Sequence, residues 1–226
     1  MSKDAIKFVI LSITVLYASH AAAQQSPTAS KSLYQLPSPY ERFSHFQLTP
    51  RVGGARPVGG LADQYIASAA FPTLTLAMEW VQPKRISVGL ELGTYSFDKR
   101  LSRALYEFDN QQISAVQTRT LRSSFAQGTA SYHFASPTAS FRPYVQAGIG
   151  VELIDYTLYW GGMATSDERF RLSIKPAVGL RYLLSKEGHL GLDARIHYTH
   201  TPYAFDYIQD SINTLQFSLG LVYRWW

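Results

Sequence analysis

The chain has 226 residues, of which 46% are apolar, 14% aromatic and 16% charged, and its formal net charge is +5. This charge content is too low for a disordered chain, and the length suits one ordinary domain or one small membrane barrel. The absence of cysteine excludes disulfide scaffolds, thiolate zinc sites and cysteine nucleophiles, and the 21 basic and 16 acidic residues are too interleaved for a nucleic-acid-binding surface.

The N-terminus has the three regions of a secretory signal peptide. Lys3 and Lys7 form a basic start, residues 8–18 are apolar except for Ser12 and Thr14, and residues 21–23 are alanines that suit cleavage. The apolar stretch is too short for a comfortable transmembrane helix, so we predict export and cleavage after Ala23. The predicted organisation is a signal peptide over residues 1–23, a Ser-, Pro- and Gln-rich periplasmic tail over 24–42 and a folded domain over 43–226.

Beyond the tail, apolar and polar residues alternate with a period of two, which is typical of β-strands and does not fit an amphipathic helix. The clearest segment is 86–93, where Ile, Val and Leu alternate with Ser, Gly and Glu. Pro50 and Pro176 interrupt two other segments, and we expect a bulge or a strand end at each. Eight strands are predicted in all, the first least clearly: about 43–52, 73–80, 86–93, 123–134, 144–153, 172–181, 190–197 and 215–224.

The predicted connections alternate between short and long. Such a rhythm is typical of an up-and-down outer-membrane barrel, with periplasmic turns and extracellular loops. An even strand number then places both termini on the periplasmic side. The short connections are 81–84, 135–140 and 185–188, and the long ones are 53–68, 96–122, 157–168 and 201–213.

The polarity of the two strand faces favours a membrane barrel over a soluble, lipocalin-like one, because charged residues lie on the face opposite the apolar one. The inward charges would be Arg51, Glu79, Glu91, Glu152, Lys175, Arg181, Asp193, Arg195 and Arg224. Aromatic residues on the apolar face lie next to the short turns, as in an aromatic girdle at a membrane interface, whereas Tyr95 and Tyr198 fall near the opposite strand ends. The predicted girdle is Trp80, Phe134, Tyr182, Tyr223 and Trp225.

The mixed signs of the inward charges indicate pairing. Because the interior of an eight-stranded barrel is just wide enough for side chains to fill, we expect the paired charges to close the lumen. The alternative is a narrow channel for ions or small solutes that uses the same charges.

Two segments resemble strands of small bacterial outer-membrane β-barrel proteins of the OmpA/OmpX-like and "porin family" kind. They are residues 141–151 (FRPYVQAGIGV) and the aromatic-ended 215–226 (LQFSLGLVYRWW). The resemblance implies an all-β, eight-stranded antiparallel transmembrane barrel in the outer membrane, in contact with its lipid and lipopolysaccharide. It also implies recognition of the final strand by the barrel-insertion machinery. It does not specify an activity, because such barrels include anchors, adhesins, channels and lipid-modifying enzymes. Closure of the sheet favours a monomer.

The most enzyme-like group is His197, Thr199 and His200 with the downstream acids Asp206 and Asp210. It faintly resembles the His-x-Ser pair of lipid A deacylase barrels, but Thr replaces Ser, Asp replaces Glu, and the alternation turns His197 and Thr199 inward. His197 and His200 are three residues apart and face opposite sides of a strand. We therefore predict no enzymatic activity, no cofactor and no metal site.

The longest predicted loop, residues 96–122, is rich in basic side chains. Lys99, Arg100, Arg103, Arg119 and Arg122 could contact lipopolysaccharide phosphates, although a merely solvated loop is the alternative. The sequence thus favours a non-enzymatic outer-membrane barrel with a structural or surface-interaction role.

Overall fold

The computed structural model describes residues 37–108, 111–161, 163–184, 188–203 and 211–226. The chain divides into two compact units, Met1–Pro39 and Tyr40–Trp226. The predicted signal peptide and residues 24–36 of the predicted tail lie outside the described residues. Among those that are described, no helix is long and apolar enough to cross a membrane.

The second unit consists almost entirely of β-strands. Eight of them close into a barrel in the order β1, β10, β9, β8, β7, β6, β3, β2, with every neighbouring pair antiparallel, and β4 and β5 form a separate hairpin. The predicted eight-stranded, antiparallel up-and-down barrel is therefore confirmed. The elements are α1 (Pro39–Arg42), β1 (His45–Val58), a π-helical turn (Leu61–Tyr65), β2 (Ala70–Val81), β3 (Ile86–Arg100), β4 (Ala104–Phe108), β5 (Gln111–Ala115), β6 (Gln117–His133), β7 (Phe141–Trp160), β8 (Met163–Leu183), β9 (Leu190–Thr201) and β10 (Ile212–Trp225).

Side chains alternate between the two faces of the barrel wall as the sequence predicts. Leu90 is 67% exposed on the outer face, whereas its neighbour Glu91 is fully buried in the interior. The outer face carries a continuous band of exposed Leu, Ile, Val and aromatic residues, and the lower interior is lined by charged, amide and hydroxyl groups. This inside-out polarity is that of a barrel in contact with lipid.

The strands at the long-loop end run further than the sequence predicts. β7 and β8 have 20 and 21 residues and are joined by a tight turn at Gly161, whose φ is +59°. A transmembrane strand needs only about 9–11 residues. Roughly the last ten residues of β7 and the first ten of β8, on either side of Gly161, therefore extend beyond the bilayer. The expected long loop at 157–168 is therefore wrong, and the 96–122 loop is largely strand as well. Beyond the bilayer the strands of these pairs, β3 with β6 and β7 with β8, stay hydrogen-bonded to each other. Their outer faces no longer contact lipid, so the alternation of apolar and polar residues that predicts a strand is lost there.

The prolines do not produce bulges or strand ends, contrary to expectation. Around Pro50 the β1–β10 register is the same on both sides, and the proline still pairs with Leu76 of β2. Pro176 likewise leaves the β8–β9 register unchanged. Each proline interrupts pairing on one side only, because the strand's other neighbour holds it in register. The one register shift of β1 against β2 lies between Gly53 and Ala55.

Candidate functional site

The barrel interior holds most of the predicted site residues. Its two ends are named here by the predicted orientation: the extracellular end carries the long connections, and the periplasmic end carries the short turns and the C-terminus. The extracellular end is closed by apolar side chains. The first extracellular connection folds back over the mouth as the π-helical turn, and Leu61, Tyr65 and Ile66 are at most 1% exposed. They pack against inward residues of the upper strands. We call this cluster the apolar plug; it consists of Ala55, Leu61, Tyr65, Ile66, Ala70, Tyr95, Phe97, Leu121, Phe125, Ile154, Leu158, Tyr203 and Ile212.

A buried carboxylate lies directly beneath the apolar plug. Glu152 accepts hydrogen bonds from the hydroxyls of Tyr95 (2.5 Å), Ser123 and Thr201. Among the described residues no basic side chain lies within ion-pair distance of it, so the predicted charge pairing is wrong for this residue. Tyr95 lies inside the barrel: it follows Glu91 by four residues on β3, so both side chains are on the inner face of the strand.

Seven charged side chains form one continuous network across the middle of the lumen. Glu91 is its hub and pairs with Arg195, with Lys175 (3.4 Å) and with Arg51 (3.5 Å). Asp193 joins Arg51 (2.7 Å) to Arg181 (3.3 Å). Arg181 also pairs with Glu79 at 3.3 Å. We call this group the central network: Arg51, Glu79, Glu91, Lys175, Arg181, Asp193 and Arg195.

Neutral side chains complete the hydrogen bonding of the central network. The Tyr144 hydroxyl donates to Asp193 Oδ2 at 2.9 Å, and Gln146 Oε1 accepts from Arg195 at 2.8 Å. Gln47 and Ser87 both donate to Glu79. Such secondary hydrogen bonds are what a buried ion pair needs to offset the loss of hydration.

The periplasmic mouth is closed by Tyr40 and Arg224. Arg224 donates to the carbonyl oxygens of Pro137 (3.0 Å) and Gly188 (2.5 Å), and its guanidinium lies 4.0 Å from the ring centroid of Tyr40. Tyr40 is 1% exposed and stacks on Trp226, so this part of the predicted tail is packed rather than loose. Burial raises the pKa of the Tyr40 hydroxyl above its usual value. Arg224 therefore caps the periplasmic end and has no acid partner among the described residues.

Sequence reasoning missed one interior charge, Arg142. Its side chain is fully buried, and none of its three guanidinium nitrogens has a hydrogen-bond partner among the described residues. The predicted strand in this part of the chain began at Tyr144, two residues later. Extending the predicted strand back to Phe141 would have found Arg142, because residues 142 and 144 lie on the same face of a strand and Tyr144 faces inward.

The predicted girdle residues lie on the outer wall near the periplasmic turns. Trp80, Tyr182 and Tyr223 are each between 43% and 49% exposed, and Phe134 and Trp225 are partly exposed. The rings of Tyr223 and Trp225 stack with centroids 5.8 Å apart. Tyr198, nearer the extracellular side, is also exposed on the outer face.

The five basic residues of the predicted loop have different environments. Arg100, Arg103 and Arg122 are exposed, and Lys99 is partly buried. Arg119 is not a free loop charge: it donates to the carbonyl oxygens of Gln64 (3.1 Å) and Tyr65 (3.0 Å) and so holds the π-helical turn in the mouth.

The enzyme-like residues do not reach the lipid. His197 and Thr199 are inside the barrel and at most 2% exposed, whereas His200 hydrogen-bonds with Asn213 at 2.8 Å. Asp206 and Asp210 lie outside the described residues. The described part of the chain contains no group of three or more residues that could hold a metal ion.

The profile of the family described as "Outer membrane protein beta-barrel domain" matches residues 8–224. Among solved structures, Neisserial surface protein A (NspA) superposes with a TM-score of 0.50 at 12% identity, over 80% of this chain and 97% of that one. The N-terminal barrel of Pseudomonas aeruginosa OprF gives 0.45 at 14% identity, over 79% and 97%. A major outer membrane protein from Thermus thermophilus gives 0.48 at 13% identity, over 81% and 100%.

No curated protein matches the sequence. The likeness to NspA concerns the fold alone. The family match covers nearly the whole chain and agrees with the inside-out polarity of the barrel. The chain therefore belongs to the outer membrane protein β-barrel domain family and is an integral protein of the bacterial outer membrane.

Proposed function

We propose that this protein is a non-enzymatic barrel whose closed interior serves as a rigid support for its extracellular strand extensions and loops. The observation that carries the proposal is the filling of the lumen at three levels. The apolar plug occupies the extracellular mouth, the central network occupies the middle, and Tyr40 with Arg224 occupies the periplasmic mouth.

Each level opposes ion passage for a different physical reason. The apolar plug offers an ion no polar partner, and a hydrophobic constriction excludes water. The central network is a lower barrier, because polar atoms without partners among the described residues, such as both ring nitrogens of His197, leave sites for water beside its charge pairs. At the periplasmic mouth, Tyr40 and Arg224 stack into a cap. The barrel is thus better suited to rigidity than to conduction.

Planar-bilayer conductance of the refolded mature chain tests this proposal, after gel mobility with and without boiling has shown that the barrel is folded. We expect no current steps from the wild type. Leu61→Ser combined with Ile66→Ser should produce conductance, because it makes the apolar plug wettable. Phe71→Ser is the matched control, since Phe71 is 80% exposed on the outside. Steady, ion-selective steps from the wild type would instead favour the narrow channel.

The inward position of His197 and Thr199 argues against the lipid A hydrolase alternative. A hydrolase of membrane lipid needs its nucleophile and base within reach of the substrate. In this barrel those two side chains lie in the lumen, on the far side of the wall from the lipid. Mass spectrometry of lipid A from cells with and without the protein should give identical acyl patterns.

A contact with lipopolysaccharide phosphates is a second proposal, supported by the exposure of Arg100, Arg103 and Arg122 at the extracellular side. Guanidinium groups bind phosphate through charge-assisted hydrogen bonds. Replacing all three by Gln should weaken lipopolysaccharide binding to the detergent-solubilised barrel. Removal of the same number of charges at the periplasmic end, at the exposed Arg42, Lys84 and Arg85, is the control and should leave binding unchanged. Equal binding by both triple variants would count against the contact.

Three further assignments follow from the architecture as proposals. The half-exposed girdle residues would anchor the barrel at the inner interface of the outer membrane. The aromatic-ended β10 would be read by the barrel-insertion machinery. The closed ring of strands has no free edge, which favours a monomer.

A further inference from the structure

The charges buried inside the barrel do not balance. Among the described residues the buried charged side chains comprise six bases and four acids, which leaves the interior with a net charge of +2. Arginine cannot give up its proton under these conditions, so the excess cannot be removed by titration of the guanidinium groups. The bases are Arg51, Arg142, Lys175, Arg181, Arg195 and Arg224, and the acids are Glu79, Glu91, Glu152 and Asp193.

The excess charge is concentrated at the periplasmic end of the lumen. Glu91 and Asp193 are engaged by the bases of the central network, and Glu79 pairs with Arg181. Arg224 is satisfied in part by two backbone carbonyls. Arg142 remains, fully buried and with no partner for any of its three guanidinium nitrogens among the described residues.

The surroundings of Arg142 are positive and rich in hydrogen-bond donors. On β7 it lies directly across from Arg181 of β8, whose Nη1 also lacks a partner among the described residues. Arg142 is repelled by Arg181 and Arg224, and Glu79 is the acid that attracts it. His45 of β1 and His133 of β6 both interact electrostatically with Arg142 and Arg181, and each has an unpartnered ring nitrogen in the described part of the chain.

A small inorganic anion fits this environment. Desolvated, unpaired cations are stable in a protein interior only when a counter-charge and hydrogen-bond acceptors accompany them. A monatomic anion can accept from several N–H groups without a fixed geometry. Because Tyr40 and Arg224 stack across this end of the lumen, we expect the anion to be small. We propose that the periplasmic end of the lumen binds a halide ion, in the cell chloride, between Arg142 and Arg181.

The test compares the stability of the full chain, refolded in detergent at graded chloride concentrations, with sodium gluconate holding the ionic strength constant. A ligand that binds only the folded state stabilises it by mass action. Once chloride exceeds its dissociation constant, each tenfold rise should increase the folding equilibrium constant about tenfold. Equal stability of the wild type in chloride and in gluconate would overturn the proposal.

Arg142→Gln should abolish the chloride response, whereas Arg100→Gln, which removes an exposed guanidinium at the other end, should keep it. A chloride response that survives in Arg142→Gln would place the halide elsewhere and refute the assignment. Should Arg142→Gln fail to fold, the chlorine NMR linewidth of the wild-type barrel decides. Broadening that bromide competes away supports the site, and a linewidth equal to that of protein-free detergent contradicts it.

Discussion

Removal of the buried Glu91 charge should destabilise the barrel far more than removal of an exposed charge. Glu91 is fully buried and is paired with Arg51, Lys175 and Arg195. Glu91→Gln keeps the shape of the side chain but leaves three buried cations without their common partner. Breaking a buried ion pair in this way costs about 3–5 kcal/mol. At roughly 2–4 °C per kcal/mol for a protein of this size, the midpoint of thermal unfolding should fall by about 6–20 °C.

Urea unfolding of the refolded barrel, followed by tryptophan fluorescence, measures the change in free energy. Glu168→Gln is the matched control, because Glu168 is exposed on β8 and its replacement should change stability by no more than about 0.5 kcal/mol. The double variant Glu91→Gln with Arg195→Gln restores the wild-type interior charge and should lose less than the two single losses added together. A Glu91→Gln barrel within about 1 kcal/mol of wild type would refute the view that the central network holds the wall together.

Two further predictions concern the barrel wall. Leu90→Arg places a charge on the lipid face near mid-membrane and should lower the stability of the barrel by about 2–4 kcal/mol. Leu105→Arg, in the extracellular hairpin, is the control and should change the stability very little. Equal folding yields of the two variants in lipid vesicles would contradict this prediction. Gly179→Ala should cost about 1–3 kcal/mol, because its new Cβ would lie 2.3 Å from the Tyr144 ring and displace the hydroxyl that donates to Asp193. Gly128→Ala, whose Cβ would meet nothing closer than 3.8 Å, is the control in the same unfolding assay.

The fold was predictable from the sequence because successive side chains of a strand point to opposite faces. An alternation of apolar and polar residues therefore shows directly which side chains face the lipid and which face the lumen. Ile86 to Gly93 show this most clearly: the apolar positions are exposed to lipid, and Glu91 is fully buried. The short connections predicted between neighbouring strands were sufficient to predict the up-and-down order, although the long connection expected at 157–168 is a tight turn between two extended strands. Neither signal depends on knowing which residues face one another across the lumen.

The partners of the interior charges could not be predicted, because they depend on strand register and stagger. Glu152 and Glu91 look equivalent in sequence, yet hydroxyl groups surround Glu152 whereas three cations surround Glu91. The sequence predicts a solvated or phosphate-binding Arg119, whereas this side chain binds the backbone carbonyls of Gln64 and Tyr65, which are 55 and 54 residues away in the chain. The turn that enters the mouth is only five residues long, which is too short for its apolar spacing to predict burial.

The two chemistries of the lumen have separate roles in closing it. The central network is held together by ion pairs, but polar atoms without partners among the described residues remain around it, such as Thr129 Oγ1 and both ring nitrogens of His197. Water can solvate such atoms, whereas the apolar plug closes the mouth with hydrocarbon and ring surfaces. Loss of the Glu91 charge should therefore weaken the barrel without making it conduct. Substitution of Leu61 and Ile66 by Ser should make it conduct while the central network stays intact, because the main barrier to ions lies in the apolar plug. The main resistance to unfolding lies in the central network.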